Sequence, residues 1–349
     1  MSLLLTLENS KEWSDCLQRI PADKRDVYFS PEYYSLYQNY GDGEACCFVF
    51  ERSGDIVMYP FLRNSIRSLG YQLDKEYYDI QGAYGYNGII ASNINADLIK
   101  DFWDSFDAWC QENDIVAEFS RFHPLLNNQE LASPKMKAFY SRHTVALDLT
   151  DDDIWMHQIS SKNRNMIRKA EKEGVTIVES DDYETFRKLY NGTMSDLHAE
   201  DFYFFPPEYY GEYKRTFNNK SLLCLAQYDG KIIAGSMFMY SENYAHYHLS
   251  ARDREYSRYA ANNLILWYGI QKAKERGCKW LHFGGGTTGD DNDSLLKFKR
   301  DFSKTLGEFW IGKRVHNQGV YNSIVKQWEE KFPESYAANK VKLLGYREI

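Results

Sequence analysis

One order of elements occurs twice along these 349 residues, and no other feature of the chain narrows its possible folds as much. In the first half, Ser30 and Pro31 have the residue types of an N-cap and first turn, and predict a helix over about 30–40. An apolar strand over Cys46 to Glu51, the turn Ser53-Gly54-Asp55 and a second strand over Ile56 to Leu62 follow. A Tyr- and Gly-rich segment (Tyr77 to Ile90), an amphipathic helix (about Ala96 to Glu112) and an apolar strand (Ile115 to Phe122) complete the set. The second half runs the same way. A helix over about Tyr183 to Leu197 precedes the strand Leu222 to Tyr228, the turn Asp229-Gly230-Lys231 and the strand Ile232 to Tyr240. A Tyr-rich strand (Tyr244 to Ser250), a helix (about Tyr259 to Arg276) closed by Gly277, and the strand Cys278 to Phe283 end it. An antiparallel hairpin followed by strand, helix and strand implies a mixed sheet with one parallel crossover, covered by helices. The expected fold class is therefore α/β, with two tandem domains over residues 1–150 and 151–349. The acidic run Thr150 to Asp153 marks the boundary, and the segment Pro134 to Asp153 is expected to complete the first sheet.

Bulk properties exclude several functions. No apolar run approaches the ~20 residues that span a bilayer, and the N-terminus lacks a signal-peptide pattern, so a cytoplasmic protein without a transmembrane segment is expected. Six cysteines form no CxxC pair and have no histidine at zinc-finger spacing, which predicts reduced thiols and no metal site. His246 and His248 lie two apart on one strand without a third ligand at suitable spacing. A formal net charge of -8 opposes a DNA-coating surface, while a local basic groove for RNA stays compatible with it.

The run Gly284-Gly285-Gly286-Thr287-Thr288-Gly289 leaves an apolar strand and passes through Asp290, Asp291 and Asp293 into Leu296-Lys297-Phe298-Lys299-Arg300. Adjacent glycines permit positive φ and close backbone approach, as at the edge of a substrate site. A phosphate-binding P-loop is excluded, because Asp290 and Asp291 stand where Lys and Ser or Thr are required.

The repeated order, together with certain words in it, resembles the FemAB-type family of aminoacyl and acyl transferases, built from two tandem GNAT-like (acyl-CoA N-acyltransferase-like) domains. Phe29-Ser30-Pro31-Glu32-Tyr33-Tyr34 resembles that family's first helix entry, and Tyr84-Gly85-Tyr86-Asn87-Gly88 its first-domain cleft segment. Ser161 to Ala170 resembles the basic helix that opens the second domain, and Leu296 to Phe302 the FKxxF element. The resemblance implies transfer of an activated acyl group to an amine of a cell-wall peptide or surface-polysaccharide sugar precursor. The donor is expected to be aminoacyl-tRNA or acyl-CoA, with no tightly bound cofactor, and a nucleotide-sugar or muropeptide precursor is the expected acceptor. Two departures stand out. The long coiled-coil arm of peptidoglycan bridge-forming members is missing, and Arg254 to Asn262 lacks both glycines of the coenzyme A pyrophosphate motif, so side chains are expected to crowd the helix amides there. A non-catalytic GNAT-like module that binds a nucleotide-sugar or RNA is the alternative from another class.

Under the resemblance, Phe298 and Lys299 sit near the reacting ester, where a lysine can stabilise an oxyanion, with Arg300 and Gly284, Gly285 and Gly286 beside them. His123 stands where the family has an acidic residue before a proline, and is a candidate base for the acceptor amine. Tyr84 and Tyr86 are candidate stacking platforms. Arg164 and Arg168 share one helix face, as i and i+4, and are candidates for holding phosphates. Each also has a purely structural alternative: a solvated lysine or helix face, a strand-end histidine bonded to backbone, core aromatics.

Overall fold

The computed structural model describes residues 1–200 and 203–349. In chain order its strands and α-helices are β1 (Ser2–Thr6), α1 (Ser10–Gln18), α2 (Pro31–Tyr40), β2 (Glu44–Arg52), β3 (Asp55–Ser65), β4 (Tyr78–Gln81), β5 (Ile90–Ala91), α3 (Ala96–Glu112), β6 (Ile115–Arg121) and β7 (Lys137–Asp148). There follow α4 (Ile154–His157), α5 (Ser161–Lys172), β8 (Thr176–Ser180), α6 (Tyr183–Asp196), α7 (Pro207–Thr216), β9 (Ser221–Tyr228), β10 (Lys231–Tyr240) and β11 (Tyr244–Arg252). The chain ends with α8 (Ala261–Glu275), β12 (Trp280–Gly285), α9 (Ser294–Arg300), β13 (Leu306–Val315), α10 (Gln318–Lys331) and α11 (Pro333–Asn339).

Two compact units result: Met1–Ser141 with Glu308–Ile349, and Arg142–Gly307. In the first, β1, β2, β3 and β4 pair antiparallel in turn, and β4 pairs β6 parallel across the α3 crossover. Ser30 caps α2 by accepting from the Tyr33 amide at 3.2 Å, and Gly41 ends the helix in the left-handed region. The apolar stripe of α3 (Leu98, Phe102, Phe106, Cys110) has helical spacing and buries against Phe48, Tyr59 and Phe61 of the hairpin. In the second unit β8, β9, β10 and β11 pair antiparallel, and β11 pairs β12 parallel across α8. Its core joins Leu264, Ile265 and Ile270 of α8 to Phe238, Ala245, Leu281 and Ile167. Apart from the two-residue β5, the order strand, two helices, three strands, helix, strand is the same in both units, and the class is α/β with mixed sheets.

The structure corrects the expected division at residue 150. Each repeat is completed by the strand that follows the other one in sequence: β13 pairs antiparallel with β6, and β7 with β12. Residues 308–349 therefore belong to the first unit, where Trp328 and Tyr346 are buried beside Tyr71, Tyr77 and Val116. Val145 and Leu147, expected in the first sheet, instead lie in the core of the second. The helix expected from Tyr259 begins at Ala261, because Ala260 adopts left-handed backbone (φ 54) after a 3-10 turn over Arg254–Tyr259.

Candidate active site

In the second unit, one carboxylate organises the glycine-rich loop and the helix behind it. Asp293 is the N-cap of α9, with its Oδ1 accepting from the amides of Leu295 and Leu296, both at 2.9 Å. Its Oδ2 accepts from the amides of Thr287 (3.1 Å) and Thr288 (3.2 Å) and from the Thr287 hydroxyl. Burial works against this charge, but the hydroxyl and amide donors outweigh it and hold the carboxyl well below its ordinary range. A Cβ at Gly286 would collide with the Asp293 carboxylate, so the third glycine is a packing requirement of this tether.

The tether fixes Lys299, two turns into α9, relative to the end of β12. Its Nζ donates to the Gly285 carbonyl at 2.6 Å, and the side chain is buried. Gly284 takes φ +78, which turns the strand end so that the next carbonyl meets the amine. Burial pushes the Lys299 pKa down to about 7, with Asp293 pulling the other way. At neutral pH the amine is therefore close to an even mixture of charged and neutral forms.

This carries a sign for stability. Below pH 7 both folded and unfolded chains hold the proton, and the burial cost is complete. Between about 7 and the ordinary lysine value of ~10.4 the unfolded chain binds more protons, so stability should rise with pH by up to ~1.4 kcal/mol per unit. Lys299→Met should lack this rise, so that chemical denaturation at pH 7 and 9 gives a smaller difference for the variant than for wild type. Parallel pH dependences in the two proteins would refute the depressed lysine.

Arg142, which no sequence motif marks, joins the same loop. Its Nη1 donates to the carbonyls of Gly286 (3.2 Å) and Thr287 (3.4 Å), while its Nε is buried without a hydrogen-bond partner. The arginine stem lies where a Cβ on Gly285 would approach its Cδ to 3.1 Å, so the second glycine makes room for it. Only the register of β7 on β12, which sets Thr144 opposite Gly285, brings these residues together. His143 Nδ1 pairs with Asp291 Oδ1 at 2.7 Å on the same loop. Phe298 is half-buried, edge-to-face on Phe302 at 5.6 Å, and Arg300 is exposed at the end of α9.

The basic face of α5 differs from expectation. Arg164 Nη1 donates to the carbonyls of Trp155 (3.1 Å), Met156 (3.4 Å) and Ile159 (2.6 Å), closing the end of the short α4. Arg168 lies over the Trp155 ring at 5.3 Å, Lys169 donates to the Arg258 carbonyl, and Lys162 pairs with Asp301. These cations are engaged within the unit. Arg164 is thus a helix-end clamp through Nη1, and the expected grip on a phosphate backbone would compete with these contacts.

In the first unit, His123 is buried with Nε2 2.8 Å from Asp26 Oδ2 and Nδ1 accepting from the Leu125 amide at 3.2 Å. Both ring nitrogens hold these partners, so the imidazole ties the end of β6 to Asp26, and the amine-base role expected of it would require one of them to be released. Tyr86 packs edge-to-face on Tyr28 (5.2 Å) and Phe309 (5.5 Å), with His123 at 5.4 Å. Tyr84 stacks on Tyr37 at 6.3 Å, and its carbonyl accepts from the Tyr33 hydroxyl. Asn87 and Asn128 bolt this segment to β6, since the Asn87 Oδ1 accepts from the Arg121 amide and the Asn128 amide group donates to the carbonyls of Asn87 and Ile89.

A family model described as an acetyltransferase (GNAT) domain matches residues 160–300, the span that contains α5, α8, the glycine loop and Lys299. This stretch is a GNAT acyltransferase domain. Among solved structures, that of FemX superposes with a TM-score of 0.71 at 15% identity, covering 92% of this chain and 99% of FemX. L-PGS from Bacillus licheniformis gives 0.54 at 15% identity over 86% and 90% of the two chains. A C-terminal domain assigned to a lysylphosphatidylglycerol synthetase from Agrobacterium fabrum gives 0.55 at 15% identity over 90% and 92%. At such identities the likeness is one of fold, and it spans both units. No curated protein matches by sequence. The GNAT domain is thus shown for residues 160–300, and over the rest of the chain the likeness to FemX is one of fold.

Proposed function

We propose that the second unit moves an acyl or aminoacyl group from an activated ester to the amine of a cell-wall peptide or surface-polysaccharide precursor. The observation that carries this reading is the buried Lys299 amine, held on the Gly285 carbonyl by a loop that Asp293 locks to α9. In such a transfer the amine nitrogen bonds to the acyl carbon, the ester C–O bond breaks, and the amine proton leaves for the alkoxide or for water. Charge gathers on the carbonyl oxygen midway. A preorganised ammonium in a dry site stabilises that charge without reorganisation. Phe298 beside Lys299 and the Arg142 guanidinium on the loop would hold the donor. A fold neighbour named for lysylphosphatidylglycerol synthesis supports the aminoacyl form of this reading. Incubating the protein with aminoacyl-tRNA and a nucleotide-linked muropeptide or amino sugar, then weighing the acceptor by mass spectrometry, tests the reading. A new amide that depends on Lys299 supports it, and equal product from Lys299→Ala would overturn it.

An acyl-CoA donor is the second reading, favoured by the acetyltransferase description of the matching family. The start of α8 opposes it. Ala260 and Ala261 are buried there, and Tyr259 packs on Tyr228 at 4.1 Å, so side chains occupy the approach to the helix amides. Coenzyme A at 1 mM is expected to leave Tm unchanged. A rise of several degrees, as for a ligand at ~100 times its Kd, would promote the second reading.

A further inference from the structure

Transfer to an amine needs a group that takes the amine's proton, and the Lys299 ammonium on the Gly285 carbonyl is a donor. A second ionisable pair stands on the same glycine loop. His143, next to Arg142 on β7, has Nδ1 2.7 Å from Asp291 Oδ1. A carboxylate oxygen only accepts, so Nδ1 carries the proton and Nε2 has the lone pair that can take another. The His143 side chain is 27% exposed and that of Asp291 58%, so the ring is within reach of a substrate on the loop. A tied turn presents Asp291. The Asp290 carboxylate accepts from the Asn292 amide at 2.8 Å and the Asp290 carbonyl from the Asp293 amide at 2.9 Å, while Asp293 holds the near side through the amides of Thr287 and Thr288.

The fold sets this pair on the same side of the sheet as Lys299. Alternate residues of a strand share a face, and Val145 and Leu147, two and four residues after His143, lie in one core with Leu296 and Phe302. Leu296 comes three residues before Lys299 and Phe302 three after, so the lysine belongs to the face of α9 that packs on this side of β7. Both groups also meet at one residue. The His143 carbonyl oxygen lies 3.1 Å from where a Cβ of Gly285 would stand, and the Gly285 carbonyl holds the Lys299 amine at 2.6 Å. The Arg142 guanidinium bonds the next two carbonyls, of Gly286 and Thr287. Two cations suited to a developing oxyanion and a lone pair suited to a proton are thereby gathered around one short stretch of backbone.

We infer that His143 is the catalytic base of the second unit, with Asp291 as the positioning residue that orients its ring; this rests on the acyl-transfer reading given above. As the lone pair of the neutral amine forms the bond to the acyl carbon, the carbonyl π pair moves onto oxygen beside Lys299, and Nε2 takes the proton from nitrogen. The oxyanion pair then re-forms C=O, the ester C–O bond breaks with its electrons on the leaving oxygen, and that oxygen takes the proton back from the imidazolium. The test uses the full chain and an aminoacyl-tRNA with the nucleotide-linked muropeptide or amino sugar that wild type acylates. His143→Gln, which keeps a donor for Asp291 and cannot take a proton, should lower kcat ~10²- to 10⁴-fold with little change in KM or Tm. Asp291→Asn should also lower kcat with KM kept. His143→Ala should regain turnover in proportion to added imidazole, which the loss of a residue that only shapes the loop would not permit. No product from wild type with any of these acceptors would defeat the acyl-transfer reading and the base with it. Product from wild type together with full kcat in a folded His143→Gln, or a loss in His143→Ala that imidazole does not repair, would overturn the base alone.

Discussion

Lys299→Ala should lower turnover ~10²- to 10³-fold while changing substrate KM little, the pattern expected when a donor acts mainly on charge that appears in the transition state. In free energy this is about 2.7 to 4 kcal/mol of barrier. Lys299→Met, which keeps the stem and removes the charge, should be nearly as inactive. The environment of Lys299 adds a pH signature. Burial brings its pKa to about 7, so if the ammonium is the acting form, activity should descend as pH rises through about 7. A profile that only climbs through this range and stays high would assign the neutral amine a proton-accepting role instead. Arg164→Ala should behave differently. It removes a clamp on the Trp155, Met156 and Ile159 carbonyls, so it should lower Tm and leave the salt dependence of KM as in wild type. A Lys299→Ala protein that folds and keeps full turnover would remove the lysine from the mechanism.

Arg347→Met should be among the most destabilising single changes in the chain, at ~3–5 kcal/mol. Asp79 is fully buried on β4, and Arg347 Nε donates to both of its oxygens at 2.9 and 2.8 Å. The Tyr346 hydroxyl donates to Oδ2 at 2.8 Å, and Tyr71 holds the Tyr346 carbonyl. Removing the arginine leaves a buried carboxylate with one neutral donor. The sign of its pH dependence follows. Burial raises the Asp79 pKa above its ordinary value even with Arg347 and Tyr346 opposing, so the folded state takes up a proton more readily than the unfolded chain. Without Arg347 that pKa rises further, and acidification should narrow the gap between variant and wild type. Urea denaturation at pH 7 and pH 5 measures both effects. Replacing the pair together, Asp79→Leu with Arg347→Met, should recover most of the loss, since no buried charge remains. A deficit below 1 kcal/mol, or one that widens in acid, would show that the pair does not anchor the chain end.

The local elements of this protein were legible because their signals are local. Ser30-Pro31 with Gly41 bounds α2, the spacing of Leu98, Phe102 and Phe106 predicts α3, and the turns at Gly54 and Gly230 mark the two hairpins. The repeated order of these elements predicted two α/β units, and the glycine run beside Lys299 marked a candidate site. Partners distant in sequence were not legible. Val145-Ala146-Leu147 reads as a strand in either sheet, and only edge pairing decides that β7 completes the second unit while β13 completes the first. Arg142 has no motif, and reaches the glycine loop through that register alone. His123 and Arg164 read as reactive or phosphate-binding types, and their tertiary neighbours were not legible: Asp26 and the Leu125 amide on one, the end of α4 on the other. Residue type and spacing fix what a side chain can do, because φ/ψ preferences and periodicity act over a few residues. Hydrogen-bond partners and burial fix what it does, and those are set by strands and helices that meet only in the folded chain.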